Sequence, residues 1–320
     1  MWLRPNPSSR PRDKAEPVEY APRQGRFVVR LLTVGLLGLL SMMITPTSAS
    51  AACAGVNPIT TPLPDPVSGR QYEIYVSPPD GYADNPDKRY PLLVMADGGR
   101  AFPNLSCDVR ALAQKGAIAA EPIVVGLSYA LGEDLEDSRR RDYTPVAQGP
   151  SNRVYGGAAA YQTYLRTIVL RHVESHYRTD PRRRLFWGHS YGGLLGAHIL
   201  LTEPGLFQTY LIGSPSFWFA DEAIYGFEDA YAKRNKRLEA TVLLYVGGLE
   251  ISRYDPGRKG NTRDMVAGTQ AFASRLLGRG YGGLDVRSMV IAGKDHRSSV
   301  RPGFAWALME ALASLAVADR

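Results

Sequence analysis

Between residues 70 and 317, apolar runs of strand length alternate with helical patterns, and nothing else in the chain constrains its fold as tightly. RQYEIYV (70–76) alternates as a half-buried strand does, whereas PLLVMA (91–96) and EPIVVGLSY (121–129) are continuous and apolar, as strands covered on both faces are. RLFWGHS (184–190), TYLIGSPS (209–216), TVLLYVGG (241–248) and LDVRSMVIAG (284–293) are further strand candidates. Helical spacing falls over 105–116, 158–177, 194–204, 264–280 and 302–317. The pattern predicts an α/β fold with a mostly parallel central sheet and helices on both faces. Two polar connections, 130–156 and 249–263, carry little periodicity. Loops of that length inside a compact domain are usually functional or mobile.

The first 52 residues stand apart. Phe27 to Ile44 is apolar apart from Arg30, Thr33, Ser41 and glycines, and the run after Arg30 is shorter than the roughly 20 residues that span a bilayer. Arg23, Arg26 and Arg30 lie ahead of or within it, and Ala49-Ser50-Ala51 closes it with small residues. A basic start, a short apolar middle and a small-residue end predict a secretory signal peptide with an extended n-region over 1–52. A retained membrane anchor is the alternative. Residues 53–320 then form one domain, long enough to bury a sizeable core.

Removing the leader changes the charge. Seven of the 38 Lys and Arg and three of the 31 Asp and Glu lie in 1–52, so the remainder carries +3 where the whole chain carries +7. That excess gives no reason to expect nucleic acid. Two cysteines, Cys53 and Cys107, are too few for a zinc cluster. In an oxidising compartment they can pair as a disulfide. Lipidation of Cys53 is the rival reading, although the usual Leu three positions earlier is absent.

Gly188-His189-Ser190-Tyr191-Gly192 joins an apolar strand to a helical pattern. In that context G-x-S-x-G is a nucleophile elbow: the serine sits on a sharp strand-to-helix turn with its hydroxyl exposed above the sheet. Side chains two residues to either side would collide with backbone, hence the glycines. Gly126-Leu127-Ser128-Tyr129-Ala130 also ends a strand but lacks the second glycine, so Ser190 is the candidate and Ser128 is not.

A serine nucleophile needs a base. On such an elbow the chain order is Ser, then acid, then His. Of the five histidines, His172 and His176 precede Ser190, His189 adjoins it and is read as pointing elsewhere, and His198 lies within the following helix. His296, in a loop after the last strand, is the expected base. HVESH at 172–176 is not the HExxH metal pattern and has no evident third ligand, so no metal is expected. Glu250, at the end of TVLLYVGGLE, is the expected acid; Asp255 and a Ser–His dyad without an acid are the alternatives. The oxyanion donors are expected to be the amide of Tyr191 and one from Asp97-Gly98-Gly99-Arg100, with Gly98 or Gly99 favoured.

Together these residues resemble the putative-esterase branch of the α/β hydrolases, which includes siderophore trilactone esterases and relatives of esterase D. The matching pieces are MADGGRAF (95–102), RRRDYTP (139–145), WGHSYGGLLGAHILL (187–201), GSPSFWF (213–219), YVGGLE (245–250) and the KDH that ends at His296. They spread over most of residues 70 to 300, and the nucleophile segment followed by SPSFW is the most specific.

The resemblance implies the α/β-hydrolase fold and a cofactor-free serine carboxylic ester hydrolase. It also implies an enterobactin-like ferric siderophore trilactone as a small-molecule substrate in iron acquisition, which the leader pattern would place in the periplasm or beyond. By analogy, Arg139, Arg140 and Arg141 would hold the anionic ferric catecholate, with Trp218 as a wall; guanidinium groups suit a bulky anion. The competing reading is a solvated basic run offset by Glu133, Asp134, Glu136 and Asp137. A small-acyl or acyl-sugar esterase or acyltransferase is the alternative enzyme. A non-catalytic binding protein on the same fold is the alternative of another class.

Overall fold

The computed structural model describes residues 56–252 and 263–318, with side chains placed through residue 313. The expected leader at 1–52, Cys53 and Asp255 lie outside the described residues.

Among the described residues, eight strands form one sheet: β1 (Ile59–Pro62), β2 (Glu73–Ser77), β3 (Tyr90–Met95), β4 (Ile123–Leu127), β5 (Thr179–His189), β6 (Thr209–Gly213), β7 (Arg237–Gly247) and β8 (Gly282–Ile291). Their order across the sheet is β1-β2-β4-β3-β5-β6-β7-β8. The β1–β2 and β2–β4 pairs are antiparallel, and every later pair is parallel.

The continuous apolar strands are explained by what covers them. Leu92 and Val94 face one core, with Leu165, Val169, Leu194 and Leu200. Leu93 and Met95 face the other, with Phe102, Leu105, Val109, Phe304 and Leu308. Successive side chains point to opposite faces, so a strand buried on both sides must be apolar at every position. Each such leucine or phenylalanine contributes about 1.5–3 kcal/mol through burial.

Helices α1 (Gly98–Gln114) and α7 (Val300–Ala318) cover the second face. On the first lie α3, which runs over 158–176 through a π-helical turn at Leu165–Val169, and α4 (Tyr191–Thr202), α5 (Ile224–Arg234) and α6 (Met265–Arg279).

Three elements depart from the sequence reading. The 130–156 connection is not a plain loop: α2 (Leu135–Tyr143) lies in it, capped by the Asp134 side chain, which accepts from Asp137 N at 3.0 Å. Its sequence, LEDSRRRDY, has charges where an apolar stripe would be read, because the buried ones, Arg139, Arg141 and Asp142, are held in ion pairs. α1 begins seven residues earlier than the periodicity suggested, directly after Asp97. α5 was not anticipated.

Candidate active site

The C-terminal ends of the parallel strands carry the candidate residues. β5 delivers Ser190 onto φ 59° and ψ −115°, a backbone conformation unfavourable for any side-chain-bearing residue. The turn is held by Ser190 N, which donates to Gly213 O at 2.9 Å, and by Leu194 N, which donates to Ser190 O at 3.0 Å. A Cβ on Gly188 would stand 2.1 Å from the carbonyl oxygen of Gly192. The elbow therefore requires that glycine, as the motif predicts.

His296 follows β8 and Glu250 follows β7. The two meet at 2.6 Å, His296 Nδ1 to Glu250 Oε2. Glu250 is fully buried. Its other oxygen accepts from Ser214 Oγ at 2.6 Å and from Gly247 N at 2.8 Å. An acceptor-only carboxylate fixes the proton on Nδ1 of the imidazole, leaving Nε2 as the acceptor. Asp295, adjacent in sequence, is occupied differently: its Oδ1 accepts from the backbone of Arg297 and Ser298 and from Ser298 Oγ.

Ser190 and His296 line one cavity of about 680 Å³, together with Asp97, Arg139, Trp187 and His189. Ser190 Oγ makes its hydrogen bond with Ser216 Oγ, at 3.2 Å. His189 does not point elsewhere, contrary to expectation. Its ring lies 4.6 Å from that of His296, centre to centre, and its Nε2–H donates to His296 O at 2.8 Å. Ser128 is buried away from this cavity, its hydroxyl accepting from Glu73 N and donating to Tyr129 O.

Helix N-termini leave their first amides without intrahelical partners and carry partial positive charge. Two converge here. α4 starts at Tyr191 and α1 at Gly98, just past the adjacent strands β5 and β3. Gly98 is packed so closely on the end of β4 that a Cβ would lie 2.4 Å from Leu127 N. Asp97, at φ 57° and ψ 33°, turns the chain from β3 into α1. The helix starts at Tyr191 and Gly98 thus follow the C-terminal ends of neighbouring parallel strands.

Arginines expected to face a substrate are employed inside the fold. Arg139 is buried and donates to Asp97 Oδ1 at 2.5 Å, Asp97 Oδ2 at 2.9 Å and His189 O at 3.0 Å. Burial opposes its charge, and the Asp97 carboxylate more than offsets that, so its pKa lies above the ordinary guanidinium value. Arg140 pairs with Asp137 and covers the ring of Tyr155; Arg141 pairs with Asp142 and Glu133. The run is offset by acids, Asp137 and Glu133 among them, but it is not solvated: Arg139 and Arg141 are buried, with Asp97 and Asp142 as further partners, and Arg139 reaches the cavity wall. Trp218 stands on a neighbouring cavity of about 720 Å³, with its ring 6.0 Å from Tyr191 and the Arg263 guanidinium 3.3 Å above it.

Three arginines that the sequence reading passed over do reach the Ser190 cavity: Arg100, Arg297 and Arg301. Arg100 is paired with Glu136 and Arg301 with Asp108. Only the folded arrangement of α1, α7 and the His296 turn brings them together, so no local pattern marks them. Cys107, on α1, is disulfide-bonded; its expected partner, Cys53, lies outside the described residues.

A hydroxyl raised on a strained elbow, across a shared cavity from an imidazole bound to a buried carboxylate, places the chain among serine hydrolases of the α/β-hydrolase fold. Residues 66–285 match the family described as "Putative esterase", and the chain belongs to that family. It is similar to the ferri-bacillibactin esterase BesA of Bacillus subtilis, 29% identical over 61% of this chain and 71% of the relative. It is also similar to the siderophore triacetylfusarinine C esterase of Aspergillus fumigatus, 31% identical over 57% of this chain and 66% of that relative. Among solved structures, the BES protein of Bacillus cereus superposes with a TM-score of 0.68 at 25% identity, covering 88% of this chain and 98% of that one.

Proposed function

We propose that this chain is an exported esterase that hydrolyses siderophore esters, with Ser190 as nucleophile, His296 as general base and Glu250 as the acid that orients it. The observation that carries this reading is the 2.6 Å bond from His296 Nδ1 to the buried Glu250, on the cavity that Ser190 also lines. In the first half-reaction Ser190 Oγ attacks the ester carbonyl as its proton passes to His296 Nε2. The amides of Tyr191 and of Gly98 or Gly99 receive the oxyanion, and His296 protonates the departing alcohol. In the second half, His296 takes a proton from water, which attacks the acyl group and releases the acid. In resting structures catalytic hydrogen bonds are often long and tighten only with substrate bound.

The substrate class is supported by two observations. Both relatives are named for siderophore esters. The cavity wall also carries Arg100, Arg297 and Arg301, and guanidinium groups suit a bulky anion such as a ferric catecholate. Export is supported by the leader pattern of residues 1–52. The test compares hydrolysis of ferric enterobactin with that of p-nitrophenyl butyrate by the purified protein. Preferred cleavage of the ferric trilactone is expected. Turnover of the simple ester alone would leave a general small-acyl esterase, and no turnover of either, with the fold intact, would point to a binding protein.

A further inference from the structure

Strand β6 lies between β5 and β7. The residues leaving its end are therefore bracketed by the Ser190 elbow on one side and the Glu250 turn on the other. Those residues are Ser214-Pro215-Ser216, and their hydroxyls reach opposite ways. Ser214 Oγ donates to Glu250 Oε1 at 2.6 Å. Ser216 Oγ lies 3.2 Å from Ser190 Oγ, and Ser216 N donates to Ser190 O at 3.1 Å. Ser214 holds φ 36°, a conformation that a serine adopts at a cost.

Proton accounting sets the direction of the Ser216–Ser190 bond. Ser216 is 1% exposed. Among the described residues, its hydroxyl has no other hydrogen bond than that to Ser190 Oγ. A buried hydroxyl proton without an acceptor is costly. If Ser190 donated, the Ser216 proton would be stranded; if Ser216 donates, it is satisfied, and the Ser190 proton is left for the cavity that His296 lines.

We infer that Ser216 is a catalytic hydroxyl that donates to Ser190 Oγ and turns the nucleophile's own proton toward His296. This rests on the reading of Ser190 as nucleophile. In acylation the bond from Ser190 Oγ to the carbonyl carbon forms as the Ser190 proton moves to His296 Nε2. The Ser216 proton stays on Ser216, its hydrogen bond strengthening as negative charge builds on the acceptor. In deacylation the same donor stabilises the departing Oγ until His296 returns the proton.

The test is steady-state turnover of p-nitrophenyl butyrate by Ser216→Ala and Ser216→Thr proteins, with melting temperatures recorded and Ser190→Ala run alongside. Loss of the donor should lower kcat about tenfold, with KM within about twofold, and the threonine variant, which keeps the hydroxyl, should recover most of the rate. A Ser216→Ala kcat within about twofold of the parent would overturn the inference. So would a folded Ser216→Thr protein as slow as the alanine variant, which also decides the matter if Ser216→Ala melts early. Full turnover by Ser190→Ala would instead remove the nucleophile assignment beneath it.

Discussion

Arg139 grips Asp97 through two hydrogen bonds, at 2.5 and 2.9 Å, and with the same Nη2 reaches the carbonyl of His189 at 3.0 Å. Asp97 immediately precedes Gly98 of α1, and His189 immediately precedes Ser190. One guanidinium thus ties together the two backbone segments from which the oxyanion amides are proposed to come. Arg139→Lys cannot reproduce the bidentate fork, and kcat should fall about tenfold with little change in KM. Arg139→Met leaves the buried Asp97 carboxylate without its counter-charge, with only the Tyr129 hydroxyl still donating to it, and should cost about 3 kcal/mol of stability. Calorimetry beside steady-state kinetics checks both; an active, equally stable methionine variant would contradict this role.

Glu250 accepts three hydrogen bonds, from His296, Ser214 and Gly247. Glu250→Gln keeps the shape but loses the charge that holds the imidazole tautomer. Turnover should fall about 10²- to 10⁴-fold. Near-parental rates would support a Ser–His dyad instead.

Arg297 and Arg301 sit on the rim of the Ser190 cavity. Arg297→Ala should raise KM for a ferric catecholate ester about five- to tenfold and leave p-nitrophenyl butyrate unaffected. The selectivity should also weaken with added salt, because exposed charges are screened. Equal effects on both substrates would remove the anion-binding role.

His198 is buried within α4 against Phe227, and burial lowers its pKa from the ordinary 6.5 to about 4. As the pH falls through about 6.5 the unfolded chain takes up a proton that the folded chain refuses until near pH 4. Stability is therefore complete above about pH 6.5 and declines toward pH 4, by up to about 3 kcal/mol from this group. Urea midpoints measured from pH 7 to 4 should fall more steeply for the parent than for His198→Leu. Parallel curves would show that the histidine titrates normally.

The parallel sheet was legible because strands covered on both faces must be apolar throughout, as 91–96 is. Ser190, His296 and Glu250 are proposed from chain order, because an elbow and two strand ends fix their places, and the fold brings His296 onto Glu250 and onto the cavity that Ser190 lines. The arginines were not. RRRDYTP reads as an exposed basic run, yet Arg139 and Arg141 are buried against carboxylates that are remote in sequence or masked by the same charge pattern. His189 was misread because its role depends on a contact with His296, 107 residues away. Ser216 carries no local signal either, since its meaning comes from β6 lying between β5 and β7.

The central claim is that the hydroxyl at 190 is the nucleophile and the imidazole at 296 activates it. Intact-mass and peptide-mapping mass spectrometry after reaction with a fluorophosphonate tests it most directly. A single adduct on the peptide containing Ser190 is expected, with labelling slowed at least a hundredfold in His296→Ala. An adduct on another serine, or His296→Ala protein labelled at the parental rate, would contradict the account.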